Sequence, residues 1–331
     1  MIIDVHAHTP WAANPTITDA MSFRPRPGGG FTSTFKGVSA IAYRDFMDFP
    51  RQEEVARAAG VDLRVLSPAM ALNVVVAITG AAPAAVARQI NDAAAEIQAE
   101  HPNTVVTLAT VTPFDPDCRA ELERCLQRPD VVGVVIDTSW QGRFYDEPDC
   151  EWFWAYCAQH DVPIFLHPPL LPYGYELMSR YKLEETVGRP ADTAMSATRL
   201  ICAGVFDRHP GLRILLAHMG GALLPVIGRV EMGYRLGYEG LPDGQAAVCA
   251  RRPSTYLRTN FWVDTMGFNP AQTAAVIDAF GADRVLLGTD YGPVPISPAE
   301  HIEIVRGLGL DATDEAAVLG GNAQRFFSLA A

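Results

Sequence analysis

Ile2-Ile3-Asp4-Val5-His6-Ala7-His8, Val162-Pro163-Ile164-Phe165-Leu166-His167, Ile214-Leu215-Leu216-Ala217-His218 and Val285-Leu286-Leu287-Gly288-Thr289-Asp290 are four apolar runs that each end in a histidine or an aspartate. Short continuous runs of this kind, rich in branched side chains, read as strands covered on both faces. Four more lie at 62–67, 104–111, 131–137 and 256–264. Helical patterns separate most of the eight, at Gln52 to Ala59, Ala84 to Glu100, Asp117 to Leu126, Glu151 to His160, Ala191 to Phe206 and Pro270 to Phe280. Alternating strands and helices predict an α/β fold with a parallel sheet, and eight repeats predict closure into a (β/α)8 TIM barrel forming one domain over 1–331. A doubly wound open sheet would want a glycine-rich phosphate loop after an early strand, and the sequence has none.

Two connections are too long to be simple turns. Between the first two strands lie roughly 50 residues that include Phe23 to Gly30 (FRPRPGGG), too rich in proline and glycine for regular structure. Loops after barrel strands form the mouth, so this segment is a candidate lid. The stretch from Pro168 to Pro190, after strand five, carries Tyr173, Tyr175, Arg180 and Arg189. These residues suit the wall of a site for an aromatic or anionic ligand, and equally a solvated loop. The tail from Asn322 to Leu329 reads as a last helix whose Phe326, Phe327 and Leu329 pack on the barrel.

Composition narrows the class of partner. With 49% hydrophobic residues the chain can bury a substantial core, and a formal net charge of −12 without a basic cluster argues against nucleic acid or an anionic membrane. A small molecule is the expected partner. No run approaches the roughly 18 apolar residues of a membrane span, and no basic leader precedes Ile2, so the expected location is cytoplasmic. The six cysteines form no Cys-x-x-Cys pair and read as reduced thiols.

The strand ends carry the chemistry. Residues two apart on a strand point the same way, so His6 and His8 can face one ion across the barrel mouth. An imidazole such as His167 at the end of an apolar run needs a partner for each nitrogen, and a metal is one such partner. Asp290 ends the eighth run, which neighbours the first when the barrel closes. It supplies the anionic ligand of a His-His-His-Asp set that leaves room for water. An N-cap role for Asp290 is disfavoured by Gly292-Pro293 just beyond it. The other histidines, His101, His160, His209 and His301, sit in contexts that read as polar helix ends or surface. The only lysines, Lys36 and Lys182, are not at strand ends, so a bridging carbamylated lysine is not expected. Asp137 at the end of the fourth run is a further candidate ligand. One divalent metal is the simpler reading, zinc by default with manganese, iron or cobalt as alternatives, which leaves His218 for catalysis.

These residues resemble the amidohydrolase superfamily, and within it the branch containing 2-amino-3-carboxymuconate-6-semialdehyde decarboxylase and γ-resorcylate decarboxylase. The motifs that carry the resemblance are IDVHAH (3–8), FLHPP (165–169), GVFDRHPGLRILLAHMGGALLPVIGR (204–229), GTDYG (288–292) and NAQRFF (322–327). The resemblance implies metal binding by His6, His8, His167 and Asp290, and an acid/base role for His218 beside a metal-bound water, with Asp290 sharing proton transfer. It also implies that Arg229 holds a substrate carboxylate from a neighbouring subunit, and hence a homodimer or larger homo-oligomer. The implied reaction is non-oxidative decarboxylation of an aromatic or unsaturated carboxylate. Hydrolysis of a C–C, lactone or amide bond uses the same parts and remains the alternative. Arg51, Asn73, Trp140 and Arg143 are mouth-facing candidates for substrate contact.

Overall fold

The computed structural model describes residues 1–11, 15–21, 23–27, 29–42, 44–237, 242 and 245–329. Eleven strands are present among them: β1 (Ile3–His8), β2 (Arg24–Pro25), β3 (Phe31–Phe35), β4 (Val38–Ala42), β5 (Leu63–Ser67), β6 (Val105–Thr110), β7 (Val131–Asp137), β8 (Ile164–His167), β9 (Ile214–Leu216), β10 (Phe261–Asp264) and β11 (Val285–Leu286). β1 and β5 to β11 form one eight-stranded sheet in chain order, and every neighbouring pair in it is parallel. Its ends meet. The Val5 N–H donates to the Leu287 carbonyl at 2.9 Å and the Asp290 N–H to the His6 carbonyl at 2.7 Å, with a parallel bridge between Ala7 and Tyr291. The fold is the (β/α)8 barrel expected from the eight runs.

The physical reason is visible in the burial pattern. β1 is buried at all six positions, and β8 and β9 at every position. Side chains alternate between the barrel interior and the surrounding helices, so a strand covered on both faces needs apolar residues throughout. The central pair Phe165 and Leu215 sits in register between Leu166↔Leu216 and Ile164↔Ile214, all fully buried. Outside the sheet, the tail helix Asn322–Phe327 puts Phe326 and Phe327 into the core, and Phe326 packs on Trp262 at 5.1 Å between ring centroids.

Several sequence expectations need correction. The run 256–264 is strand only from Phe261, because Pro253–Arg258 is a 3-10 helix, which proline opens readily. The expected helix Ala191 to Phe206 is two helices, Arg189–Cys202 and Val205–Arg208, separated at Gly204, whose φ of +68° suits only a turn. Helices Ala71–Thr79, Leu223–Leu236 and Pro298–Arg306 add to those named from the sequence. Within the long first loop, β2, β3 and β4 form an antiparallel sheet. Its β3–β4 hairpin turns at Lys36-Gly37, both with positive φ, the conformation two-residue hairpins favour. FRPRPGGG is thus not wholly irregular, since Arg24–Pro25 pairs with Phe31 and Thr32.

The glycine pair after His218 is a packing requirement. Gly221 has φ +59°, and a β-carbon there would lie 2.5 Å from the Pro190 carbonyl oxygen. Replacing Gly221 with alanine therefore combines a disfavoured backbone with a clash against main chain, and we expect a loss of about 2 kcal/mol or more. The urea midpoint of the purified variant measures it, and an unchanged midpoint would refute this reading of the turn.

Candidate metal centre and active site

β1, β8, the turn after β9 and the turn after β11 deliver His6, His8, His167, His218 and Asp290 to one end of the barrel, the carboxyl ends of the strands. His6, His8, His167 and Asp290 are 0, 1, 2 and 5% exposed, and His218 is partly buried. Two triplets converge: His6, His167 and His218, and His6, His8 and Asp290, each with one ligand atom per residue within 4.8 Å of the others. Barrel closure explains the second triplet, because the Asp290–His6 main-chain bond fixes the eighth strand end against the first.

The tautomers are set from behind. His6 Nδ1–H donates to Asp264 Oδ2 at 2.6 Å, and His167 Nδ1–H donates to the Pro168 carbonyl at 2.8 Å. Each imidazole then turns Nε2 to the mouth, the nitrogen a metal would take in exchange for any proton there. The two Nε2 atoms of His6 and His8 face one another at 3.3 Å, while His8 Nε2 is 3.0 Å and His6 Nε2 3.6 Å from Asp290 Oδ1. Tetrahedral ligands about 2.05 Å from zinc lie about 3.3 Å apart, so these separations are those of ligands around one ion. His167 Nε2 and Asp290 Oδ1 are buried without a hydrogen-bond partner. Orphaned groups of this kind cost about 1–3 kcal/mol each, and a cation satisfies them. The residues fit a divalent metal.

Charge at the site follows from burial opposed by neighbours. Burial works to raise the Asp290 carboxyl, but His6, His218 and His8 outweigh it and hold it well below the usual carboxylate range. Burial depresses His167 strongly, with the other imidazoles adding to the effect, and it also lowers His8. Burial likewise opposes charge on His6, yet Asp290 and the Asp264 bond lift that group to about 9.

Two residues unmarked in the sequence reading organise the site. Asp264 accepts from His6 with Oδ2 and from the Met219 and Met266 N–H groups with Oδ1. It therefore ties a candidate ligand to the turn that carries His218. Asp4 accepts from the Thr289 N–H and hydroxyl, which fixes the segment leading into Asp290. The signals were present: Asp264 ends an apolar strand run and Asp4 sits inside IDVHAH. His218, Met219 and Asp290 have φ of 56°, 55° and 54°. Residues with a β-carbon seldom adopt this left-handed region, so the surrounding hydrogen bonds must hold the backbone there. His218 Nε2 lies 3.4 Å from Asp290 Oδ2.

Other sequence candidates sort differently. Asp137 spends Oδ1 on the Met70 N–H, is pushed up to about 7 chiefly by burial, and belongs to neither convergent triplet. Arg143 stacks on Phe114 at 4.0 Å and pairs with Glu147 and Asp149, and Arg51 pairs with Glu54. Trp140 is buried, and Arg180 stacks on Tyr181. Asn73 and Tyr173 and Tyr175 line a vestibule of ≈ 470 Å³. Leu170 also borders a smaller cavity of ≈ 70 Å³ that holds Asp290, Arg189 and Lys182. Arg229 is exposed on helix Leu223–Leu236 with Met232 as its neighbour, and belongs to neither convergent triplet. His301 is not a surface residue: it is 1% exposed, with both ring nitrogens unpartnered.

The amidohydrolase family model matches residues 3–329. A 2-amino-3-carboxymuconate-6-semialdehyde decarboxylase of Dictyostelium discoideum is 30% identical, over 73% of this chain and 66% of its own length, just under two thirds. A γ-resorcylate decarboxylase of Rhizobium is 33% identical over 74% of this chain and 76% of its own. A dihydroxybenzoic acid decarboxylase of Polaromonas, solved with manganese and the inhibitor 2-nitroresorcinol, superposes with a TM-score of 0.77 at 24% identity, covering 99% of this chain and 97% of that one.

His167→Ala should abolish stoichiometric metal, read by elemental analysis of protein dialysed against zinc or manganese. Asp264→Asn should keep the fold and lower metal affinity about 10- to 100-fold, because it loosens His6 without removing a ligand. Competition with a chromogenic chelator reads that change, and wild-type affinity in Asp264→Asn would sink the assignment.

Proposed function

Since the chain belongs to the amidohydrolase family, we propose that it is a metal-dependent, non-oxidative decarboxylase of an aromatic or unsaturated carboxylate, with His6, His8, His167 and Asp290 as ligands to one divalent ion. The observation that carries the reading is the placement of His218 Nε2, 3.4 Å from Asp290 and facing the same space as the three strand-borne imidazoles. The two relatives aligned above are decarboxylases of unsaturated and aromatic acids by name, which favours this reaction over hydrolysis. Zinc suits the donor set and the ligand separations, and manganese is supported by the ion bound in the Polaromonas neighbour.

A bound ion would supply Lewis-acid stabilisation of a substrate oxygen. The chain's own residues account for the rest. His218 sits on a rigid left-handed turn, hydrogen-bonded to Asp264 through the next residue's N–H, so Nε2 is held in place. As imidazolium, it delivers its Nε2 proton to the ring or alkene carbon that bears the carboxylate. The C–COO⁻ bond then breaks, its electron pair returns to the carbon framework, and neutral carbon dioxide leaves. His218 regains a proton from solvent, so one proton is consumed per turnover. Asp290, an acceptor at 3.4 Å, holds that imidazole in place.

Arg229, exposed on its helix, is assigned to a substrate anion in the site of a neighbouring copy, which makes the working form a homodimer or larger oligomer. The acidic surface charge and the described helices, none long and apolar enough to cross a membrane, suit a cytoplasmic enzyme acting on small molecules.

Product analysis by mass spectrometry tests the reaction, using metal-loaded protein and a panel of hydroxy- and amino-substituted aryl carboxylates, muconate semialdehydes, lactones and ring-cleavage diketones. Loss of carbon dioxide is expected from at least one acid. Addition of water with fragmentation or ring opening would place the enzyme among hydrolases instead. His218→Ala should retain metal and lose about 10²- to 10⁴-fold in kcat. Loss of the metal in that variant would make His218 a ligand and overturn the mononuclear assignment.

A further inference from the structure

The small cavity beside Asp290 contains a cation that the reaction above does not use. Arg189 opens helix Arg189–Cys202 and lines the ≈ 70 Å³ space with Asp290, under a roof formed by β4 residues Val38 to Ile41. The space has room for several water-sized groups, and so for a carboxylate. Arg189 Nε is buried with no hydrogen-bond partner, and among the described residues no carboxylate lies within ion-pair distance of its guanidinium. The other cation of this cavity is already engaged. Lys182 contacts Glu184 at 2.5 Å and Glu185 at 3.6 Å, and donates to the Ser39 carbonyl at 2.7 Å. Glu184 feels Arg189 electrostatically as well, but less than it feels Lys182.

We propose that Arg189 binds a second, non-reacting anionic group of the substrate, so that the preferred substrate is a dianion reaching from Arg189 to the Asp290 end of the cavity. This rests on the decarboxylase reading and adds to it the class of acid. A guanidinium is a planar fork of donors that matches a carboxylate in two parallel bonds. A buried donor without a partner is costly to leave unmade, and a ligand oxygen removes that cost. The reacting carboxylate loses its charge as carbon dioxide forms. A cation clamped on it would stabilise the ground state more than the transition state and slow the reaction. Arg189 therefore serves catalysis only on a group whose charge persists through the reaction, which is a second acid substituent.

Isothermal titration of manganese-loaded protein with isophthalate and benzoate tests the proposal without turnover. Wild type should bind isophthalate about 10- to 100-fold more tightly than benzoate. Arg189→Met should bind the two with equal affinity while keeping the benzoate affinity of wild type, and Arg189→Lys should keep part of the preference. A wild-type protein without the preference, or an Arg189→Met variant that retains it, overturns the assignment. If Arg189→Met fails to melt cooperatively, Arg189→Gln takes its place with the same expected outcome. A protein that prefers isophthalate but decarboxylates nothing in the panel refutes the reaction and leaves this subsite standing. One that decarboxylates monoacids without the preference refutes the subsite alone.

Discussion

A single main-chain hydrogen bond, from the Asp290 N–H to the His6 carbonyl at 2.7 Å, joins the last strand end to the first. Everything at the mouth depends on that junction. Without it, Asp290 has no reason to lie 3.0 Å from His8, and three imidazoles would face one another with no anion among them. The bond belongs to a wider clasp: Val5 pairs with Leu287, and Asp4 grips both the N–H and the hydroxyl of Thr289. Gly288 is part of the same junction, since a β-carbon there would lie 2.8 Å from His6 Cβ and 2.7 Å from Asp264 Cβ. The strand end can approach His6 this closely only because residue 288 has no side chain.

Behind the imidazoles, Asp264 divides its two oxygens between the His6 ring and the turn that carries His218. One oxygen orients His6, and the other holds the turn on which His218 sits. The arrangement ties His6 and the His218 turn to one support, which fixes the separation of the two imidazoles. The left-handed backbone at His218, Met219 and Asp290 is the strain this support maintains.

The barrel was legible because parallel strands covered on both faces must be apolar throughout, and that leaves a run such as Val131–Asp137 or Ile164–His167 in plain view. The convergence of His6, His8, His167 and Asp290 was legible for a related reason: a histidine at the end of such a run has few ordinary partners. Local composition failed elsewhere. The β3–β4 hairpin mixes serine, threonine and phenylalanine with half-buried alternation, and its Lys36-Gly37 turn signal was hidden in a segment judged by its prolines and glycines. His301 stands between Glu300 and Ile302, which reads as surface, but its helix turns it inward toward Phe268. Asp264 went unremarked because an aspartate after Phe261-Trp262-Val263 has no ligand spacing of its own. Its role comes only from a contact 258 positions away in sequence.

The same distance along the chain bears on how the protein is made. His6 and His8 are translated well before His167, and Asp290 follows every strand of the barrel sheet. A nascent chain carries at most part of the donor set until β11 docks on β1 and closes the sheet. Uptake of the proposed ion would therefore come only after that docking, and its binding free energy would help to hold the seam shut. Without the proposed ion the seam would lack that contribution, so cation supply would bear on the lifetime of the newly made chain.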